Sequence, residues 1–91
     1  MDVAFYATLR QVVGQKTITV DLSPGATVRS LLDEVTVRFP PLGTLIWQPD
    51  GSLGDYIKVF VDGREIRHLQ MLETLVPPAA SVDIFPPVAG G

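Results

Sequence analysis

The chain has 91 residues, no cysteine and a formal charge of −3 at neutral pH. This length gives one small domain with one modest core, and the lack of cysteine excludes disulfides, a cysteine nucleophile and cysteine-ligated zinc. The acidic balance argues against a nucleic-acid partner, because phosphate binding needs a surface of lysine and arginine. We expect a cytoplasmic protein with no membrane partner, since the chain shows no signal peptide and no apolar run long enough to span a bilayer.

Two β-prone segments open the chain. Residues 2–7 predict a first strand, and the alternating residues 16–22 predict a second. Between them we expect a connector over residues 8–15 with Gly14 as its turn signal, so that the two strands form a hairpin. Along the first strand, Tyr6 falls on the face away from the predicted core.

An amphipathic helix is predicted next. Thr27 is a suitable N-cap, and Pro40-Pro41 ends the helix because the residue before a proline avoids the αR conformation. Apolar residues at helical spacing form one stripe: Val28, Leu31, Leu32, Val35 and Phe39. This stripe predicts a helix that packs one face against a sheet.

The second half of the chain predicts a loop and two main strands. Residues 42–56 have a loop-like composition, with Trp47 as an apolar plug beneath the loop. A strand over residues 57–62 ends in a tight turn at Asp62-Gly63, and residues 81–85 form the last strand. These elements predict an α+β fold in which a mixed sheet packs on one main helix, with the first and last strands paired at its centre.

Strand alternation places Tyr6, Phe60 and Phe85 on the sheet face away from the helix. If the first, third and last strands are neighbours, the three rings form one contiguous surface of the kind that marks a protein interface. The alternative is a second small core, covered by residues 42–56 or 69–76.

The chain contains no recognisable catalytic constellation of its own. His68 is the single histidine, and without a second histidine or a cysteine it predicts no metal site. The one reactive group that remains is the carboxylate of Gly91.

The C-terminal segment suits the presentation of that carboxylate. Pro86 and Pro87 stiffen the chain where it leaves the last strand, and Gly90-Gly91 lacks Cβ atoms and fits a slot too narrow for any side chain. We therefore predict a folded domain over residues 1–87 and a flexible tail over residues 88–91. The alternative is a frayed terminus without a function.

Taken together, these features resemble the MoaD/ThiS family of ubiquitin-like β-grasp sulfur carriers. The resemblance covers essentially the whole chain and rests on the β-β-α-β-β order and on the segments VAFYATLRQVVG, PGATVRSLLDEV, FVDGREI and FPPVAGG. The turn Ala79-Ala80-Ser81 departs from the family, which often has Gly-Asp before the last strand. The resemblance implies a ubiquitin-like β-grasp fold.

The resemblance also implies a reaction cycle. An E1-like adenylyltransferase uses ATP to adenylate Gly91, with Gly90 beside it, and a sulfur donor converts the adenylate to a thiocarboxylate. The chain itself binds no cofactor. Tyr6 and Phe85 match docking positions of the family. The predicted partner-binding residues are Tyr6, Phe60, Phe85, Pro86, Pro87 and Val88.

Three acceptors of the activated glycine remain open. The first is the large subunit of molybdopterin synthase, for which the chain would be the small, sulfur-carrying subunit. The second is another sulfur-accepting enzyme, in thiamin, cysteine or thiolated-tRNA synthesis. The third is a protein lysine, in which case the chain is a ubiquitin-like modifier joined through Gly91.

Overall fold

A computed structural model describes residues 1–87, in which five strands form one mixed sheet. The strands are β1 (Asp2–Phe5), β2 (Thr17–Thr19), β3 (Lys58–Val61), β4 (Arg64–Glu65) and β5 (Ser81–Phe85). Their order is β2-β1-β5-β3-β4. β1 and β5 run parallel, and the other neighbouring pairs are antiparallel. The predicted α+β class and the central pairing of the first and last strands are confirmed.

Helices cover one face of this sheet. They are α1 (Ala7–Val13), α2 (Val28–Arg38) and α3 (Pro41–Ile46), and two 3₁₀ turns follow at Ile66–His68 and Met71–Glu73. Alternate residues of the central strands point toward the helices and are buried: Val3, Phe5, Val59, Val61, Val82 and Ile84. The core therefore lies between the sheet and the helical layer.

The main helix α2 forms as its sequence predicts. The Thr27 side chain accepts a hydrogen bond from the Ser30 N–H at 3.3 Å, which satisfies one of the free donors of the first turn. Four residues of the apolar stripe are fully buried, and Phe39 is partly buried against the core. Both the predicted cap and the predicted stripe are confirmed.

The segment between β1 and β2 is the helix α1, so the predicted connector over residues 8–15 was wrong. Leu9 and Val13 lie one turn apart and are both buried in the core. Gly14 then ends the helix with φ 86°, and its N–H donates to the Arg10 carbonyl at 2.8 Å. The strands β1 and β2 do pair antiparallel, but through a helix rather than through a simple turn.

The first half of the predicted loop over residues 42–56 is also helical. Pro41 occupies the first turn of α3, where its missing N–H costs nothing, and Leu42 and Ile46 are buried one turn apart. Trp47 follows α3 and is partly buried against the core, which confirms its prediction as an apolar plug.

The helical layer leaves the opposite face of the sheet open. α3 packs against α1 and α2, and the Met71–Glu73 turn packs against α2. α3 and this turn therefore lie on the helical side of the sheet and not over the opposite face. Within residues 1–87, no helix has the length and apolarity needed to cross a membrane.

Candidate docking face and tail exit

Three aromatic side chains meet on the face of the sheet opposite the helices, which we call the outer face. The rings of Tyr6 and Phe85 stack with their centroids 4.1 Å apart and their planes 12° from parallel. Phe60 meets the edge of Phe85 at 5.5 Å with an interplanar angle of 80°. All three side chains are half-buried, and none belongs to the buried core cluster. We call these three residues the aromatic cluster; their predicted convergence is confirmed.

Strand register brings the three rings together. Phe5 lies opposite Ile84 in the parallel pair of β1 and β5, so the next residue, Tyr6, comes beside Phe85. On the other side of β5, Phe60 of β3 lies opposite Asp83. Side chains in such neighbouring rows are within reach of one another, and aromatic rings especially so.

The start of α1 sets the position of Tyr6. The strand β1 ends at Phe5, not at residue 7 as predicted, and Tyr6 is the extended N-cap of α1. Ala7 follows with φ 51°, a left-handed conformation that turns the chain sharply into the helix. Ala7 is exposed and does not share the buried face of β1.

A hydrogen bond ties the aromatic cluster to an acidic residue. The Tyr6 hydroxyl donates to Oδ1 of Asp83 at 2.8 Å. This hydrogen bond, then burial, then the negative charge of Asp83 raise the pKa of Tyr6 above its ordinary value. Tyr6 is therefore a neutral hydrogen-bond donor at neutral pH.

Basic and acidic groups surround the aromatic cluster. The Lys16 ammonium lies 5.6 Å from the centre of the Tyr6 ring, and the exposed Lys58 lies opposite Phe85 in the register. Glu65 lies opposite Phe60, and the Arg67 Nε is 3.8 Å from its Oε2. Arg67 also donates to the Asp55 carbonyl. The surface therefore combines an apolar centre with a polar rim, the usual anatomy of a protein interface.

The chain leaves β5 directly beside the aromatic cluster. Pro86 is buried and Pro87 is exposed, so the chain is held by packing one residue beyond Phe85. Val88, Gly90 and Gly91 lie outside the described residues, and their predicted roles stay predictions, as does the division into a domain and a tail. The contact roles of Pro86 and Pro87 also stay predictions, although Pro86 has little surface left for a partner.

The described residues offer little for metal chemistry. His68 is exposed at the end of a 3₁₀ turn. Across residues 1–87, no three histidine, cysteine, aspartate or glutamate side chains come together to hold a metal ion.

From the sequence, no function was assigned to Asp83. Its position between the inward-facing Val82 and Ile84 was the available signal, since alternation directs Asp83 to the outer face. The hydrogen bond to Tyr6 joins residues 77 positions apart and depends on the parallel pairing of β1 with β5.

Comparisons of the sequence and of the structure with known proteins both find ubiquitin-like relatives. The ThiS family matches residues 3–91. Small archaeal modifier protein 3 of Haloferax volcanii is 38% identical over 92 residues, a match that covers 100% of this chain and 98% of the relative.

Solved structures show the same likeness. SAMP1 from Haloferax volcanii superposes with a TM-score of 0.88 at 31% identity, covering 99% of this chain and 97% of that one. A chain of the Amycolatopsis orientalis BexX/CysO complex gives a TM-score of 0.82 at 28% identity, covering 99% and 98%. The fold is the ubiquitin-like β-grasp, as predicted.

Proposed function

Because this chain belongs to the ThiS family, we propose that it is a ubiquitin-like carrier whose working group is the C-terminal carboxylate of Gly91. The observation that supports the proposal best is the place where the chain leaves the sheet. Phe85 is both the last residue of β5 and the centre of the aromatic cluster. A partner that covers the outer face therefore also holds the start of the tail.

The reach of the tail fits this arrangement. Four residues follow Pro87, and an extended chain of that length spans about 13 Å at about 3.3 Å per residue. That distance suffices to place a terminal carboxylate inside an active site while the partner grips the domain. The two terminal glycines fit a narrow channel because they carry no Cβ.

In the first step, a Gly91 carboxylate oxygen attacks the α-phosphorus of ATP on an E1-like adenylyltransferase, and pyrophosphate leaves. In the second step, the sulfur of a hydrosulfide donor attacks the acyl carbon, and AMP leaves with the bonding electron pair. The product is a thiocarboxylate on Gly91. Activation is needed because a carboxylate is a poor acyl donor. In this proposal the ATP is bound by the activating enzyme, and the chain itself holds no cofactor. We propose that the cycle runs in the cytoplasm, where ATP and reduced sulfur are available.

The acceptor that we propose first is the large subunit of molybdopterin synthase, because the sequence motifs resemble those of its small subunit. The thiocarboxylate sulfur attacks a carbon of the acceptor's substrate and displaces an oxygen leaving group, which forms a thioester between Gly91 and that carbon. Water then hydrolyses the thioester, so that the sulfur stays on the substrate and Gly91 returns to a carboxylate. The same chemistry would serve an acceptor in thiamin, cysteine or thiolated-tRNA synthesis.

A second candidate function is protein modification. The observation that favours it is the full-length similarity to small archaeal modifier protein 3. In this case a lysine amine of a target protein attacks the Gly91 adenylate, AMP leaves, and an isopeptide bond forms. Both candidates share the same adenylate.

Mass spectrometry of the chain from its native host separates the two. A sulfur carrier yields free protein whose mass has increased by the exchange of one oxygen for sulfur. A modifier yields peptides in which a target lysine carries the C-terminal segment of this chain. If neither species appears, and Gly91 also stays a plain carboxylate with the E1-like enzyme, ATP and sulfide, the proposal is contradicted.

A further inference from the structure

Asp83 lies on the outer face next to the aromatic cluster. Its strand β5 is the central strand, and the register places Asp83 between Ala4 of β1 and Phe60 of β3. Its side chain is half-buried, and the aromatic cluster borders it. A partner that covers the aromatic cluster must therefore also cover Asp83.

Only one oxygen of this carboxylate is engaged within the described part of the chain. Oδ1 accepts the hydrogen bond from the Tyr6 hydroxyl. The ion pairs found among residues 1–87 do not include Asp83, whereas the Arg67 Nε lies 3.8 Å from the carboxylate of the nearby Glu65. Asp83 is thus a carboxylate on the outer face that makes no ion pair within residues 1–87.

Covering such a group has a cost that the partner must offset. Removing water from a carboxylate is unfavourable unless a cation or several donors replace it. A guanidinium group can contact both the Asp83 carboxylate and the neighbouring aromatic rings. Its fork donates to the unoccupied Oδ2, and its plane stacks on an aromatic ring. An ammonium group carries a point charge and lacks the planar contact.

We infer that Asp83 is the specificity-determining residue of the outer face, and that the activating enzyme meets it with an arginine set in an apolar docking surface. The inference rests on the proposed function and adds the chemistry of the partner. On this view, Asp83 favours an activating enzyme that carries the arginine over an otherwise similar enzyme whose docking surface is purely apolar.

ATP–pyrophosphate exchange by the E1-like enzyme of the same organism tests the inference, with the chain as the varied substrate. Asp83→Asn removes the charge but keeps an oxygen that can accept from Tyr6. We expect the KM for Asp83→Asn to rise at least about thirtyfold with kcat unchanged, because the loss is one of docking. The unfolding temperature should stay close to that of the wild type.

Two control variants make the result specific. Asp33→Asn removes the same charge from the exposed side of α2, and Tyr6→Phe removes the hydroxyl but keeps the ring. We expect Asp33→Asn to keep KM within about threefold of the wild type. Tyr6 belongs to the aromatic cluster, so Tyr6→Phe should raise KM, but by clearly less than Asp83→Asn does. A wild-type KM for Asp83→Asn overturns the inference. An equal rise for Tyr6→Phe also overturns it, because Asp83 would then only orient Tyr6.

Exchange measured with the wild-type chain shows whether a negative result contradicts this inference alone or the proposed function as well. If it supports exchange and Asp83→Asn behaves like the wild type, only the inference fails. If it supports no exchange, the proposed function fails, and the inference falls with it.

Discussion

At the scale of single residues, the two ends of α1 contain left-handed backbone. Ala7 has φ 51° and Gly14 has φ 86°. Glycine adopts this conformation freely, whereas a Cβ is crowded by the following carbonyl group. The strained alanine lies directly after Tyr6, so the turn that ends β1 also fixes the first ring of the aromatic cluster.

Exchanging the residue types at these two ends should have opposite effects on stability. Ala7→Gly relieves the strain and should raise the free energy of unfolding by up to about 1 kcal/mol. Gly14→Ala should lower it by about 1 kcal/mol, although open space surrounds the position, because the cost lies in the backbone. Urea unfolding of both variants checks this prediction. Equal signs for the two changes would show that the backbone argument is wrong.

Neighbouring residues of β5 should separate docking from folding. Ile84 is fully buried, and Ile84→Asp should unfold the domain because it buries an unpaired charge. Phe85→Asp removes two aromatic contacts, worth about 0.5–1.5 kcal/mol each, and should leave a folded domain. The same variant should weaken partner binding about thirtyfold or more.

Thermal unfolding and a binding assay with the activating enzyme check this pair. If Phe85→Asp unfolded the domain as Ile84→Asp does, Phe85 would belong to the core rather than to the outer face.

At the scale of elements, the sequence predicted the helix and the strands in which apolar positions repeat regularly. The strands and α2 carry repeated apolar positions, such as Val82 and Ile84 in β5. α1 and α3 each bury only two residues one turn apart, too few to reveal a helical period. Their helical state comes from packing against the core, which local sequence does not show.

On the outer face as well, local features could be predicted from the sequence, whereas a contact between distant residues could not. Alternation along strands predicted that the three aromatic rings share a face, because the side-chain period of two is a local property. The Tyr6–Asp83 hydrogen bond was not predicted, because it depends on the register between the first and last strands. Register between distant strands is set by the whole fold.

The N-cap of α2 should contribute measurably to stability. Thr27→Ala removes the acceptor for the Ser30 N–H and should lower the free energy of unfolding by about 1 kcal/mol. Thr36→Ala is the matched control in the same helix. Its hydroxyl donates to the Asp33 carbonyl, and alanine has the higher helix propensity, so no loss is expected. Equal losses in urea unfolding would contradict a capping role for Thr27.

At the scale of the whole molecule, the stabilising core and the surface next to the C-terminal tail lie on opposite sides of the sheet. The helical layer and the core occupy one side of the sheet, and the outer face and the tail exit share β5, the central strand. A central strand is held on both sides by its neighbours, so the last residues before the tail have a rigid support. We propose that the chain presents its terminal carboxylate in this way while partners perform the chemistry.

The most direct test of this account is ATP–pyrophosphate exchange by the activating enzyme with chains altered only at the tail. Deletion of Gly91 should abolish exchange, and Gly90→Val should impair it strongly, because a branched side chain does not fit a channel shaped for bare backbone. Both variants should unfold at the wild-type temperature, since residues 1–87 contain the described sheet and core. Normal exchange by the Gly91 deletion variant would contradict the central claim.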